Sequence, residues 1–153
     1  MPQPPTLVIG YGNDLRGDDA AGRLVAEVIA GMGMPGVTAL SLPQLAPELA
    51  ERLAQVRAAI FVDARLDDED DSVQVRPLVP ADATTTFGHS GSPAWLLALA
   101  ERLYGQRPQA WLVTVPAQRF ELGEEISERA RRRCYAAIQE VQRLVGATAE
   151  PQV

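Results

Sequence analysis

The stretch Leu7-Val8-Ile9-Gly10-Tyr11-Gly12-Asn13-Asp14-Leu15-Arg16-Gly17-Asp18-Asp19-Ala20-Ala21-Gly22 decides the fold. An apolar run enters a glycine-rich turn, and beyond it Leu24, Val25, Val28 and Ile29 recur at helical spacing. This strand, turn and helix order opens many α/β domains, because the unpaired amides of the turn and the positive helix end make an anion cradle. Here the cradle already carries carboxylates. The dinucleotide pattern G-x-G-x-x-G fails, since Leu15 occupies the place of its third glycine. A P-loop would use Gly12 and Gly17, but Asp18 and Asp19 stand where it needs lysine and a hydroxyl, so a phosphate would be repelled. Asp18 or Asp19 could instead cap the following helix.

Working outward, a strand over 6–10 and a helix over 20–31, stopped by Gly31 and Gly33, are followed by a strand over 37–42. Pro47 suits the first turn of a helix over 47–56. Ala58-Ala59-Ile60-Phe61-Val62 is the continuous apolar run of a strand buried on both faces, with Asp63 at its carboxyl end. Asp67 to Asp71 reads as a solvated acidic turn, and alternating Val73, Val75 and Leu78 as a strand with one wetter face. Residues 80–91, which include His89, form the longest stretch without periodicity. Ser92 and Pro93 supply the N-cap and first position of a helix over 94–104, and a strand over 110–115 is closed by Pro116. A last helix over 125–145 presents Ile126, Ala130, Cys134, Ile138, Val141 and Val145 on one face, with Arg129, Arg131, Arg132 and Arg133 mostly on others. Gly146 ends it, leaving a frayed tail over 147–153. The alternation predicts one three-layer α/β domain over 1–153, a twisted, mostly parallel sheet of about five strands with helices on both faces.

Composition narrows the functions open to this domain. With 153 residues and 46% hydrophobic content, the chain suffices for one well-filled core. Fourteen basic residues, all arginine, stand against 20 acidic ones, a net charge of -6, which argues against general nucleic-acid binding. Without lysine there is no Schiff-base chemistry. The opening residues lack the basic and apolar regions of a secretory signal, no window reaches the length of a membrane span, and a cytoplasmic protein is expected. The single cysteine, Cys134, excludes an internal disulfide, and its place on an apolar helix face points to a structural thiol. Any metal would need the single histidine, His89, with carboxylates, carbonyls, water or a partner's ligands.

In doubly wound folds ligands collect beyond the carboxyl ends of the strands. Asp19 follows the first strand, Asp63 terminates the third, and His89 lies in the long loop after the fourth. One imidazole and two carboxylates could form an open coordination set for nickel, zinc or iron. Covalent alternatives are weaker. Gly88-His89-Ser90-Gly91-Ser92 lacks the closing glycine of a G-x-S-x-G elbow, and the core role of Cys134 argues against pairing it with His89. Asn13, Gly10, Gly12 and Gly17 are read as shaping the loop.

The opening motif through Asp18-Asp19 and Gly22, the strand ending Phe61-Val62-Asp63, and His89 before a helix resemble the nickel-iron hydrogenase maturation endopeptidases of the HybD type. Leu103-Tyr104-Gly105, Trp111-Leu112-Val113-Thr114-Val115-Pro116 and Phe120-Glu121-Leu122-Gly123 extend the resemblance over nearly the whole domain. That family removes a short C-terminal extension from the hydrogenase large-subunit precursor once nickel is inserted. The resemblance implies a cytoplasmic hydrolase in which Asp19, Asp63 and His89 are both the catalytic and the metal-contacting residues. Many relatives carry Glu at the position of Asp19, so its reach here is shorter by one methylene. The implied nickel is supplied by the precursor, whose cysteines hold it, and no nucleotide is involved. The implied partner is that precursor, with no nucleic acid and no membrane, and the protein is expected to be a monomer. Two alternatives stay open: a noncatalytic nickel-checking chaperone using the same triad, and a nucleotide-binding regulator, against which Asp18-Asp19 counts.

Overall fold

The computed structural model describes residues 5–66, 70–81, 91–118, 122–123 and 125–149. Among them, strands β1 (Thr6–Tyr11), β2 (Val37–Leu42), β3 (Ala58–Leu66), β4 (Gln74–Leu78) and β5 (Gln109–Ala117) form one sheet in the order β2-β1-β3-β5-β4. All neighbours are parallel except β4, which runs antiparallel along β5. β4 tolerates Pro77 because it lies at the edge, where a missing N–H need not break a central ladder.

Helices α1 (Ala21–Met32) and α4 (Glu128–Ala149) cover one face, and α2 (Leu49–Leu53) and α3 (Pro93–Tyr104) the other. Strand periodicity splits the core accordingly. Val8, Ile60, Val62, Val113 and Val115 pack towards α1 and α4, whereas Leu7, Ile9, Ala59, Phe61 and Leu112 pack towards α2 and α3. Since β2 and β3 flank β1 on opposite sides, the topological switch point lies between β1 and β3, where such folds open a crevice. The three-layer α/β architecture read from the sequence is the observed one.

Several boundaries differ for local physical reasons. The helix read over 47–56 is α-helical only over Leu49–Leu53, because its ends tighten into i to i+3 turns, Leu49 N to Ala46 O and Val56 N to Leu53 O. β3 continues past Asp63 to Leu66, paired with β5, and β5 continues through Pro116 to Ala117, beyond the last rung it shares with β4. The last helix begins after Ser127, whose hydroxyl accepts the Ala130 N–H at 3.1 Å. Gly146 does not end it: α4 runs on to Ala149, so 147–149 are helix rather than tail, and 150–153 lie outside the described residues.

The acidic run is also more than a solvated turn. Residues 67–69 lie outside the described set, but Asp71 accepts from Arg129 and Arg133, one turn apart on α4. Asp70 accepts from the N–H and hydroxyl of Ser72 and from Gln74. These partners hold both carboxyls down at about 2, with the Ser72 hydroxyl leading for Asp70 and Arg133 leading for Asp71. Cys134 is buried against α1, with Sγ 3.8 Å from the Ala21 carbonyl, and burial pushes its thiol up to about 12, as a structural thiol requires.

Candidate functional site

The loop leaving β1 is shaped by two close backbone approaches. A Cβ on Gly10 would lie 1.9 Å from the Gly22 carbonyl oxygen, so the bare glycine lets α1 settle directly on β1. Gly12 has φ +153°, and a Cβ there would meet the Asp19 carbonyl at 1.9 Å. The loop then folds onto its own acid: the Asn13 N–H donates to Asp19 Oδ2 at 2.7 Å, while Asn13 Oδ1 accepts the Leu15 N–H at 2.9 Å. Asn13 and these glycines therefore shape the loop.

Asp18 and Asp19, adjacent in sequence, point to different tasks. Neither caps the helix that follows, since the 3₁₀ turn Gly17–Ala20 and α1 both start without a side-chain cap. Asp18 is fully buried and accepts from Gln118 N at 2.8 Å, Ser127 N at 2.6 Å and Ser127 Oγ at 2.9 Å. It ties the first loop to the end of β5 and the start of α4, a structural role that a capping motif did not signal. Asp19 is half-buried and lines an open cleft of about 370 Å³ together with Tyr11, Gly12, Asp63 and Gly91.

Asp63 reaches the same cleft by strand alternation. Ala59 and Phe61 face α2 and α3, so Asp63 lies on that face, one residue beyond the last β1–β3 rung, Gly10 with Val62. Its Oδ1 accepts the Ala64 N–H at 2.8 Å, and its carboxylate accepts the Tyr11 hydroxyl. Burial outweighs these two hydrogen bonds and, with Asp19 adding repulsion, lifts the Asp63 carboxyl to about 6. The Tyr11 phenol is pushed well above its usual range, first by burial and then by Asp63.

Two of the three sequence-derived site residues, Asp19 and Asp63, thus share one cleft at the switch point. His89 lies outside the described residues, though Gly91, two positions later in the chain, lines the cleft. Among the described residues no three His, Cys, Asp or Glu side chains gather as a metal cluster. Tyr11 was read only as part of the motif. The period of β1 gives only the face that Leu7, Ile9 and Tyr11 share, and it is the register of β1 with β3 that brings Tyr11 level with Asp63.

An acid raised to about 6, beside a second carboxylate, can take a proton from water or bind a cation. Among the described residues no helix is long and apolar enough to cross a membrane. No family model and no curated protein sequence matches the chain. Solved structures do match. The hydrogenase maturating endopeptidase HybD from E. coli superposes with a TM-score of 0.75 at 22% identity, over 94% of this chain and 93% of that one. The [NiFe] hydrogenase maturation protease HybD from Thermococcus kodakarensis gives 0.69 at 20%, over 95% and 99%. A hydrogenase 2 maturation peptidase from Thaumarchaeota archaeon SCGC_AB-539-E09 gives 0.68 at 22%, over 93% and 98%. The chain therefore has the fold of the hydrogenase maturation endopeptidases along almost its whole length.

Proposed function

We propose that this protein is an endopeptidase that removes the C-terminal extension of a nickel-iron hydrogenase large-subunit precursor after nickel insertion, acting in the cytoplasm. The observation that carries this reading is the convergence of Asp19 and Asp63 in one open cleft at the switch point of a fold shared with proteases of that process. His89 is the third member of the proposed set, and its membership rests on the sequence resemblance and on the neighbouring Gly91 at the cleft.

The donor chemistry fits nickel as part of the substrate. Two carboxylate oxygens and one imidazole are hard or borderline ligands, suited to completing a coordination sphere that precursor thiolates already dominate. Nickel then marks the precursor as ready and fixes the scissile segment over the cleft. In the cut itself, Asp63 is suited to accept the proton of a water attacking the scissile carbonyl and to pass it to the departing amine. In the metal-free cleft burial raises its value to about 6, which makes it a stronger base than an exposed carboxylate. Tyr11 holds the carboxylate by one hydrogen bond and Ala64 by another.

The test is the intact mass of the precursor, nickel-loaded and nickel-free, after incubation with this protein. Loss of a C-terminal peptide from the loaded form alone is the expected result. Binding without any change of mass would overturn the protease reading in favour of a nickel-checking chaperone. Strong thermal stabilisation by a nucleotide would instead revive a regulator built on the first loop.

A further inference from the structure

A second depression lies on the same face of the sheet, next to the carboxylate cleft. It is a groove of about 250 Å³ between β4 and the start of α3, walled by Leu78, Leu112, Pro93 and Trp95, with Arg76 on its rim. The consecutive residues Gly91 and Ser92 divide the two depressions, Gly91 lining the cleft and Ser92 the groove. Arg76 is exposed, and among the described residues no carboxylate forms an ion pair with it. Its charge is nevertheless felt at the Tyr11 hydroxyl, so groove and cleft belong to one electrostatic surface, negative at Asp19 and Asp63 and positive at Arg76.

Resting on the protease reading, we propose that this groove is the subsite for the peptide segment that leaves. It takes an extended stretch with apolar side chains against Trp95 and Leu112 and an acidic residue paired with Arg76. The sheet register sets the spacing. Asp63 pairs with Thr114, and Arg76 pairs with Leu112, so the two positions are separated by two strand spacings and a two-residue offset. At ~4.8 Å per strand and ~3.3 Å per residue this is roughly 12 Å, the length of about three or four residues of extended chain. The acid is therefore placed about three to five residues beyond the scissile bond. The charge division sorts the substrate: the cation-bearing part meets the carboxylates, and an acidic leaving segment is repelled from them and attracted to Arg76.

The experiment uses a nickel-loaded precursor with an acidic residue in that window and a second precursor with lysine in its place. Each is processed by the wild-type protein, Arg76→Gln and Arg76→Glu, with KM and kcat measured separately. For the acidic precursor, Arg76→Glu is expected to raise KM about five- to tenfold, more than it lowers kcat, and Arg76→Gln is expected to do so less. The lysine precursor is expected to be poor for wild type and to be rescued by Arg76→Glu. Equal KM values for all three proteins, or a loss in Arg76→Glu that is the same on both precursors, would overturn the groove while leaving the protease reading intact. A wild-type protein that shortens neither loaded precursor would overturn the protease reading and the groove with it.

Discussion

A half-buried carboxylate beside a second carboxylate is costly as an anion, and Asp63 is in that position. Its folded-state value near 6 lies above the ordinary 3.8, so the native protein holds a proton that the unfolded chain releases between those values. Stability contributed by this group is therefore lost as pH rises from about 4 to about 6, and above 6 its charge destabilises the fold. Asp63→Asn keeps an acceptor for Tyr11 and Ala64 without that charge, and is expected to raise unfolding free energy by about 1–2 kcal/mol at pH 7. Urea titrations at pH 7 and near pH 4 check this, the gain vanishing at the lower pH. The same variant is expected to leave a nickel-loaded precursor uncut in the mass assay, so stability and function move in opposite directions. Asp19 and Asp63 were legible in the sequence because a glycine-rich turn and an apolar run both fix where a strand ends. Tyr11 was not, because its partner becomes visible only once β1 and β3 are in register. The separate duty of Asp18 was hidden too, since its partners, Gln118 and Ser127, are about a hundred residues away in the chain.

At the scale of elements, that distant contact joins the first loop to the last helix. Among the described residues Asp18 accepts from the exposed Gln118 amide and from the buried amide and hydroxyl of Ser127, and the two Ser127 donors have no water to turn to. Asp18→Ala is expected to cost about 2–3 kcal/mol in a urea titration, because it strands the buried Ser127 donors and frees the start of α4. A loss below about 1 kcal/mol would mean that the loop and α4 are held by packing alone. Gly10→Ala tests the other side of the same loop. With the Gly22 carbonyl 1.9 Å from the added methyl, α1 must lift off β1, and a cost of about 3 kcal/mol is expected by the same titration. The α/β alternation and the two-sided burial of β1 and β3 were legible because period and continuous apolar runs are local properties. Helix ends were less so. Gly146 carries a stop signal, yet α4 passes through it, and α2 shortens because its termini wind into tighter turns.

For the molecule as a whole, the inventory of donors decides how metal enters its work. Beyond its carboxylates the chain has one imidazole and one thiol to offer a metal, His89 and Cys134. The cysteine is sealed in the core with its thiol pushed up to about 12, so it supplies no thiolate. The cleft offers two carboxylates half-exposed to water, which bind divalent nickel far more weakly than the thiolate set of a precursor. The protein alone is therefore expected to bind nickel with a dissociation constant above roughly 1 µM by titration calorimetry. A carboxylate cleft that reads a metal held by another protein should not need its own. Protein stripped with a chelator and desalted is accordingly expected to process a nickel-loaded precursor within about twofold of the untreated rate. If stripping instead abolishes processing, and added nickel or zinc restores it, the metal belongs to this chain. Asp19, Asp63 and His89 would then be the resident ligands of a metallopeptidase, and nickel in the precursor would no longer be needed to complete the site.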